Sequence, residues 1–206
     1  MLKDVTFITG SADKAGQSVK IDKDLVRKAK IWVEKVYLNT DHLIRTGYWV
    51  KKIFPEASDS LLIAAITHDV ERAFQKGRKP PSAELRGAVW DDHVYNSWHS
   101  KRSAKFVKAC LRKEDARPIL IKEVGELIEH HEEGGWNEAD YLKDADSISF
   151  LEINVPMFIN RIPDKLSKDE VKEKFVYMFE RMTNKKAKEI AEPFYRKGLE
   201  KLQNID

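Results

Sequence analysis

Cysteine, proline and glycine are scarce in this sequence of 206 residues, which has one Cys, seven Pro and nine Gly. The one thiol, Cys110, cannot form a disulfide within the chain, which is typical of proteins from a reducing compartment. So few prolines and glycines exclude a fibrous or linker-rich chain. The nine Phe, five Trp and six Tyr exclude a disordered chain, because they supply apolar surface for a core.

Long apolar runs and an excess of charge of one sign are also missing. No stretch is apolar enough to cross a membrane, and the first residues lack the apolar core of a signal peptide. The 37 Lys and Arg against 34 Asp and Glu leave a net charge of +3, which gives little support to nucleic-acid binding. We therefore expect a cytoplasmic protein with one main domain, no membrane contact and no specific nucleic-acid partner.

Most of the chain has the hydrophobic periodicity of helices. Pro118 is well placed as the first residue of a helix, and Ser167 with Glu170 forms a capping box. The run 61–66 is apolar on every side, which is typical of a buried helix, and we expect that helix to continue through Phe74. The predicted helices cover residues 22–37, 42–54, 61–74, 98–111, 118–133, 139–151, a segment after the capping box, and a tail to residue 202 that is interrupted at Pro193.

The first 20 residues have a different character. Residues 5–10 are rich in β-branched side chains and end in a glycine, as a short strand would. We therefore predict an irregular or β-like arm over residues 1–20. The remainder, residues 21–206, is predicted to be one all-α helical domain with a C-terminal helical annex from about residue 164.

The pair His68-Asp69 is the first candidate for chemistry. It follows the apolar run 61–66, so its helix would carry the pair into the interior. A buried carboxylate costs on the order of several kcal/mol unless a cation or strong donors compensate it. Side by side, His68 and Asp69 can reach one metal ion, because an imidazole supplies a nitrogen ligand and a carboxylate can bridge two ions.

Further histidines and an aspartate lie on other predicted helices. The candidate ligands occur in the order His42, His68-Asp69, His99, His130-His131 and Asp146. At 100° per residue, His131 falls near the centre of the apolar face of its helix and His130 at the edge of that face. This geometry favours His131 as a ligand, and His130 stays open as the alternative ligand. If His131 is the ligand, His130 would donate a hydrogen bond to a ligand or contact the substrate.

In this order, the motifs resemble those of the HD-domain superfamily of metal-dependent phosphohydrolases. The similar segments are residues 42–50, 64–71 and 144–148. Residues 99–104 and 128–132 resemble the extra histidine motifs of members that bind two metals. The resemblance extends over residues 22–155 and implies an HD-type all-α bundle with a metal site in its interior.

The resemblance also implies which residues hold metal. One ion would be held by His42, His68, Asp69 and Asp146, and Asp69 would bridge to a second ion held by His99 and by His130 or His131. The family pattern selects Asp146 over its neighbour Asp144, which would lie outside the ligand set. One or two divalent ions per chain are expected, and these ligand types suit Mn, Zn, Fe, Ni, Co or Mg.

Hydrolysis of a small phosphorylated molecule, such as a nucleotide, is the activity that the resemblance implies. A divalent ion activates water, and Asp69 and Glu71 are the predicted catalytic residues. Arg72, Lys101 and Arg102 follow the histidine motifs and are the predicted cations for phosphate binding. The predicted partners are this substrate and, in a homo-oligomer, further copies of the chain.

Two other functions stay open at this point. An HD-type di-iron oxygenase uses the same kinds of ligand, and a non-catalytic module could use metal only to stabilise its bundle. Iron bound on purification would favour the oxygenase. Trp98 and Trp136 flank the histidine motifs and could stack on a nucleobase. His93 matches no motif and is expected at the surface, in a loop.

Overall fold

The computed structural model describes residues 11–81 and 90–205, with side chains from Asp24 onward. This part of the chain is all-α, as the sequence predicts, and contains helices and turns but no strand. The elements in chain order are α1 (Ser11–Val36), α2 (Thr40–Ile53), α3 (Asp59–Ala65), a 3-10 turn (Val70–Ala73), α4 (His93–Lys113), α5 (Pro118–Glu129), α6 (Asn137–Ser149), a π-helical turn (Phe150–Asn154), α7 (Val155–Ile159), α8 (Lys168–Glu180) and α9 (Lys185–Gln203).

Several helices begin at residues that are typical of helix N-termini. Pro118 is the first residue of α5, and the capping box of Ser167 and Glu170 precedes α8, so both predictions are confirmed. The side chain of Asp92 accepts hydrogen bonds from two backbone amides in the first turn of α4. Because of this cap, α4 begins at His93, earlier than the predicted residue 98.

The predicted N-terminal arm is wrong for residues 11–20, because α1 already begins at Ser11. This segment contains alanine, lysine and glutamine, which are good helix formers, and it continues into the amphipathic part of α1 without a break. The strand predicted over residues 5–10 lies outside the described residues.

The helix predicted over residues 61–74 is wrong in its second half. The helix α3 ends at Ala65, and a run of turns leads to the 3-10 turn that begins at Val70. The hydroxyl of Thr67 donates to the carbonyl oxygen of Ile63 at 2.6 Å, and the amide of Thr67 donates to Ala64 in a tighter turn. Side-chain bonds of this kind compete with regular helical pairing.

The predicted interruption at Pro193 is also wrong, since α9 continues through it. A proline inside a helix removes one backbone hydrogen bond. The buried face of α9 continues on both sides of the proline, through Ala187, Ala191, Gly198 and Leu202. Packing of this face stabilises the helix across the missing bond.

The packing of the helices determines where polar side chains can meet. The helix α2 packs against α6, α4 packs against α5, and α3 contacts both α2 and α5. The pair α8 and α9 covers the α6 side of this group. Leu43, Ile63, Val124 and Ile148 are fully buried between these helices, so residues on the same inner faces approach one another. None of the described helices combines the length and apolar character needed to cross a lipid bilayer.

Candidate metal centre

Four buried histidines from different parts of the fold meet in the bundle interior. His42 lies in the first turn of α2, His68 follows α3, His99 lies in α4, and His131 follows α5. The ring centroids are 5.5 Å apart for His42 and His68, 4.9 Å for His68 and His131, and 5.4 Å for His131 and His99. The rings therefore form one continuous row.

Asp69 lies along this row and belongs to two groups of ligand atoms. One group is His42, His68 and Asp69, and the other is Asp69, His99 and His131; the ligand atoms of each lie within 4.8 Å of one another. Asp69 Oδ1 is 2.7 Å from His99 Nε2 and 4.0 Å from His131 Nε2. Either group could hold a metal ion, and the shared carboxylate is suited to bridge two ions.

Asp146, in the last turns of α6, adds a second carboxylate to the first group. Its Oδ1 atom is 3.0 Å from His42 Nε2 and 3.2 Å from His68 Nε2. The three side chains are almost completely buried. The structure thus brings Asp146 to the side of the row that is opposite His99.

The second ring nitrogen of each histidine is held by an oxygen of the protein. An imidazole that donates a hydrogen bond from Nδ1 keeps its Nε2 lone pair for a metal ion, and such bonds are typical of metal-binding histidines. The Nδ1 contacts are His42 to Ser149 Oγ (3.0 Å), His68 to the Ala65 carbonyl (2.9 Å), His99 to Glu71 Oε1 (2.9 Å) and His131 to the Ile128 carbonyl (2.7 Å).

Two details support the fit of a metal ion to this site. Ser149 donates its hydroxyl proton to the His42 carbonyl at 2.7 Å, so its oxygen accepts from His42 Nδ1. This leaves the lone pair of His42 Nε2, which lies 3.0 Å from Asp146 Oδ1, for a metal ion. His131 Nε2 is fully buried and has no hydrogen-bond partner in the described part of the chain. A buried polar atom without a partner costs about 1–3 kcal/mol, which coordination to an ion would remove.

The charge states of the carboxylates also suit a cation. Burial would raise the pKa of Asp69, but Arg72 holds it well below its ordinary value. Burial would likewise raise the pKa of Asp146, and His68 holds it well below. Burial acts against a charged His68, yet Asp146 raises its pKa to about 9, so an arriving ion would displace a proton from His68 at neutral pH.

Glu71, a predicted catalytic residue, lies behind the metal-ligand groups instead of facing the site's cavity. Its carboxylate is fully buried and contacts His99 Nδ1 at 2.9 Å, Arg102 at 3.1 Å and Arg78 at 3.2 Å. Burial would raise the pKa of Glu71, but His99 and Arg78 lower it. From this position Glu71 orients the His99 ring, and it has no access to substrate in the cavity described below.

The three predicted phosphate-binding cations have different positions. Arg72 donates to Asp69 Oδ2 at 3.0 Å and lines the cavity beside the metal-ligand groups. Arg102 instead donates to Glu71 and to a backbone carbonyl, and Lys101 is exposed. At 100° per residue, Lys101 points about 200° away from His99 on α4. The structure therefore does not place Lys101 or Arg102 at the cavity.

The structure distinguishes the two adjacent histidines after α5. His131 enters the second group, whereas His130 is exposed and packs edge-on against Trp136, with ring centroids 5.0 Å apart. Trp98 packs beside Tyr95, with ring centroids 5.8 Å apart. Neither Trp98 nor Trp136 lines the cavity, so neither is in position to stack on a bound base there.

Asp144 and His93 both lie outside the metal-ligand groups. Asp144 is buried and accepts hydrogen bonds from the backbone amides of Thr183, at 3.0 Å, and Asn184, at 2.7 Å. It therefore links α6 to the start of α9 and lies outside the ligand groups. His93 is exposed, as predicted, but it begins α4 instead of lying in a loop, and it is 3.5 Å from Glu133.

Arg181 is the most central residue that the sequence analysis missed. Its guanidinium contacts Asp146 Oδ2 and Glu132 Oε2, and its Nε donates to Ser147 at 2.8 Å. Burial would lower its pKa, but these carboxylates raise it, so it is always charged. Arg181 directly follows α8, far along the chain from every histidine motif, and no local pattern marks it.

A cavity of about 320 Å³ adjoins the ligand groups, and His42, Asp69 and Asp146 form part of its wall. The rest of the wall combines cations with large apolar side chains. The cations are Arg72, Arg161, Lys174 and Arg181, and the apolar residues include Trp90, Phe150, Phe158 and Met178. This composition suits a small anionic molecule with an apolar portion.

Replacing Ser149 by Ala is expected to lower metal affinity by about 10- to 100-fold, because Nδ1 of His42 loses the oxygen that fixes its ring. Competition with a chelating dye would measure the change. Ser60→Ala is a matched control, since Ser60 is also buried but bonds to Glu123 instead of a histidine. Equal metal affinity in both variants would contradict an orienting role for Ser149.

No family model, curated protein or solved structure matches this chain. Assignment of its function therefore depends on the chemistry of the site itself.

Proposed function

We propose that this protein is a metal-dependent phosphohydrolase that acts on a small phosphorylated substrate. The observation that carries the proposal is the pair of ligand groups that share Asp69 beside a cavity with four cations in its wall. Phosphate esters are anionic and need both charge compensation and an activated water, and this arrangement of residues suits both needs.

The residues that would hold metal are the four buried histidines with Asp69 and Asp146. Divalent ions bound there would lower the pKa of a water molecule and offset negative charge on a phosphoryl group. The protein itself supplies ring orientation through the four Nδ1 contacts and ionised carboxylates through the low pKa of Asp69 and Asp146.

Arg72 is the phosphate-binding residue that the geometry favours. It lines the cavity, it is held by Asp69 at 3.0 Å and by the Tyr95 hydroxyl at 3.2 Å, and these contacts position its guanidinium beside the ligand groups. An arginine can form two parallel hydrogen bonds to phosphate oxygens. The cavity volume of about 320 Å³ suits a small substrate.

The test is a panel of phosphate monoesters incubated with protein that has been saturated in turn with Mn²⁺, Zn²⁺, Ni²⁺, Co²⁺ and Fe²⁺. Release of inorganic phosphate, and its loss on chelation, is the expected result. Iron accompanied by oxygen uptake, with no phosphate released from any ester, would contradict the proposal and support an oxygenase instead. Bound metal with neither activity would leave a metal-stabilised binding module.

Arg72→Met is expected to lower kcat/KM for the best ester by about 10- to 100-fold, the range for loss of a charge-assisted hydrogen bond. Metal content is measured in parallel so that loss of the ion is separated from loss of the phosphate contact. Arg112→Met, at an exposed position in the last turn of α4, is the matched control. Equal kcat/KM for the two variants would exclude Arg72 from phosphate binding.

A further inference from the structure

Two of the four cations in the cavity wall have no acidic partner in the described part of the chain. Arg72 is paired with Asp69, and Arg181 with Asp146 and Glu132. Arg161 and Lys174, in contrast, form no ion pair with any described residue. The positive charge of these two side chains is therefore available to a ligand.

Arg161 and Lys174 are held by one aromatic cluster, which we define as Trp90, Phe150 and Phe158. The Arg161 guanidinium lies 4.8 Å from the Phe158 ring centroid, and the Lys174 ammonium lies 5.0 Å from Trp90 and 5.3 Å from Phe150. Within the cluster, Phe158 is 5.9 Å from Trp90 and 5.0 Å from Phe150. The rings thus support both cations on one apolar wall of the cavity.

Burial disfavours the charge of both cations in the free protein. Burial lowers the pKa of Lys174 to about 8, and Arg181 adds repulsion that only partly offsets the attraction of nearby carboxylates. Burial and repulsion from Arg72 lower the pKa of Arg161 as well. A buried cation beside other cations gains stability when an anion binds next to it.

The net charge of the cavity wall also indicates that an anion binds beside Arg161 and Lys174. The wall contains four cations and three carboxylates, Asp69, Glu132 and Asp146, which leaves 4 − 3 = +1 before any metal is added. Divalent ions at the ligand groups would make the cavity more positive still. One phosphoryl group beside the ions would leave Arg161 and Lys174 without an ion-pair partner, so a substrate with a second acidic group fits the cavity better.

We propose that Arg161 and Lys174 bind a second anionic group of the substrate, a carboxylate or another phosphate, and that the aromatic cluster packs on the apolar portion between the two acids. This inference rests on the proposed phosphohydrolase function and narrows its substrate class. Arg161 and Lys174 are specificity residues in this scheme, and the reacting phosphoryl group lies at the metal-ligand groups.

The test compares two probes that differ only in the second acid, phenylphosphonate and 4-carboxyphenylphosphonate, by titration calorimetry on Mn²⁺-saturated and on metal-free protein. We expect the wild type to bind the carboxylated probe at least about tenfold more tightly, the effect of one charge-assisted hydrogen bond. Lys174→Met and Arg161→Met should each reduce this ratio towards one, because Met keeps an apolar stem on the rings but removes the charge that binds the carboxylate.

Lys172→Met, at an exposed position of the same helix, is the matched control and should keep the wild-type ratio. A wild-type ratio near one, or a ratio that both cavity variants preserve, would overturn the inference. Lys174→Gln provides a second variant if the Met variant unfolds. Preferential binding of the carboxylated probe by a protein that hydrolyses no ester would contradict only the phosphohydrolase function. Ester hydrolysis by a protein without this preference would contradict only the second-anion site.

Discussion

Asp69→Asn is expected to remove metal from both ligand groups and to lower phosphate-ester hydrolysis by at least about a thousandfold. Asp69 is the residue that the two groups share, so one substitution affects both. Asparagine keeps the shape of the side chain but cannot carry the negative charge that attracts and bridges divalent ions. Loss of several kcal/mol of charge stabilisation corresponds to about three orders of magnitude in rate.

The measurement is metal content by mass spectrometry on untagged protein, followed by phosphate release. Wild-type protein should carry about two ions per chain if both groups are filled, and the variant less than about half an ion. Asp164→Asn, at an exposed position, is the matched control and should retain the wild-type content. Full metal content in Asp69→Asn would show that the shared carboxylate is not a ligand.

Much of the fold could be predicted because most helices here have one buried face and strong end signals. Pro118 and the Ser167 capping box are local features, and local features are what a sequence shows directly. The break after Ala65 was not predictable in the same way. At the break, the Thr67 hydroxyl donates to the Ile63 carbonyl and the Thr67 amide to Ala64, whereas the apolar run before it has the pattern of a helix throughout.

The candidate ligands could be predicted because the order of their motifs resembles that of HD-domain proteins, and the structure brings these residues together in the interior. Among the cations in the cavity wall, Arg72 was predicted, but Arg161, Lys174 and Arg181 were not, because proximity in sequence to a histidine motif is a poor guide to which side chains reach the cavity. Lys101 follows His99 by two residues and points away from the cavity, whereas Lys174 and Arg181 reach it from distant positions. The packing of α8 and α9 against α6 brings Arg181 to Asp146.

The site also shows a conflict between stability and function. Asp69, Asp146 and Glu132 are carboxylates with little exposure in the interior of a helical bundle, and burial alone would raise the pKa of each. Arginines compensate them, Arg72 for the first and Arg181 for the other two. A bundle built only for stability would have apolar side chains at these positions, so this arrangement favours a functional origin.

Arg181→Met is expected to destabilise the metal-free protein by about 3–5 kcal/mol, because two buried carboxylates lose their shared cation. In Mn²⁺-saturated protein the loss should be at most about half as large, since the ion supplies positive charge beside Asp146. The low pKa values of Glu132 and Asp146 stabilise the native protein above their ordinary values of 4.5 and 3.8. This stabilisation is lost as the pH falls, so the difference between wild type and variant should narrow in acid.

Urea unfolding of wild type and variant, with and without Mn²⁺ and at pH 7 and pH 4, measures all of these effects in one design. Arg196→Met is the matched control, because Arg196 is exposed and paired only with Glu192 on the surface of α9, and its effect should stay within about 0.5 kcal/mol. If Arg181→Met loses the same unfolding free energy with and without Mn²⁺, no ion binds beside Asp146. We expect Mn²⁺ to reduce the loss of unfolding free energy in Arg181→Met but not in the double variant Arg181→Met, Asp69→Asn. That result would place Arg181, Asp69 and the ion in one site.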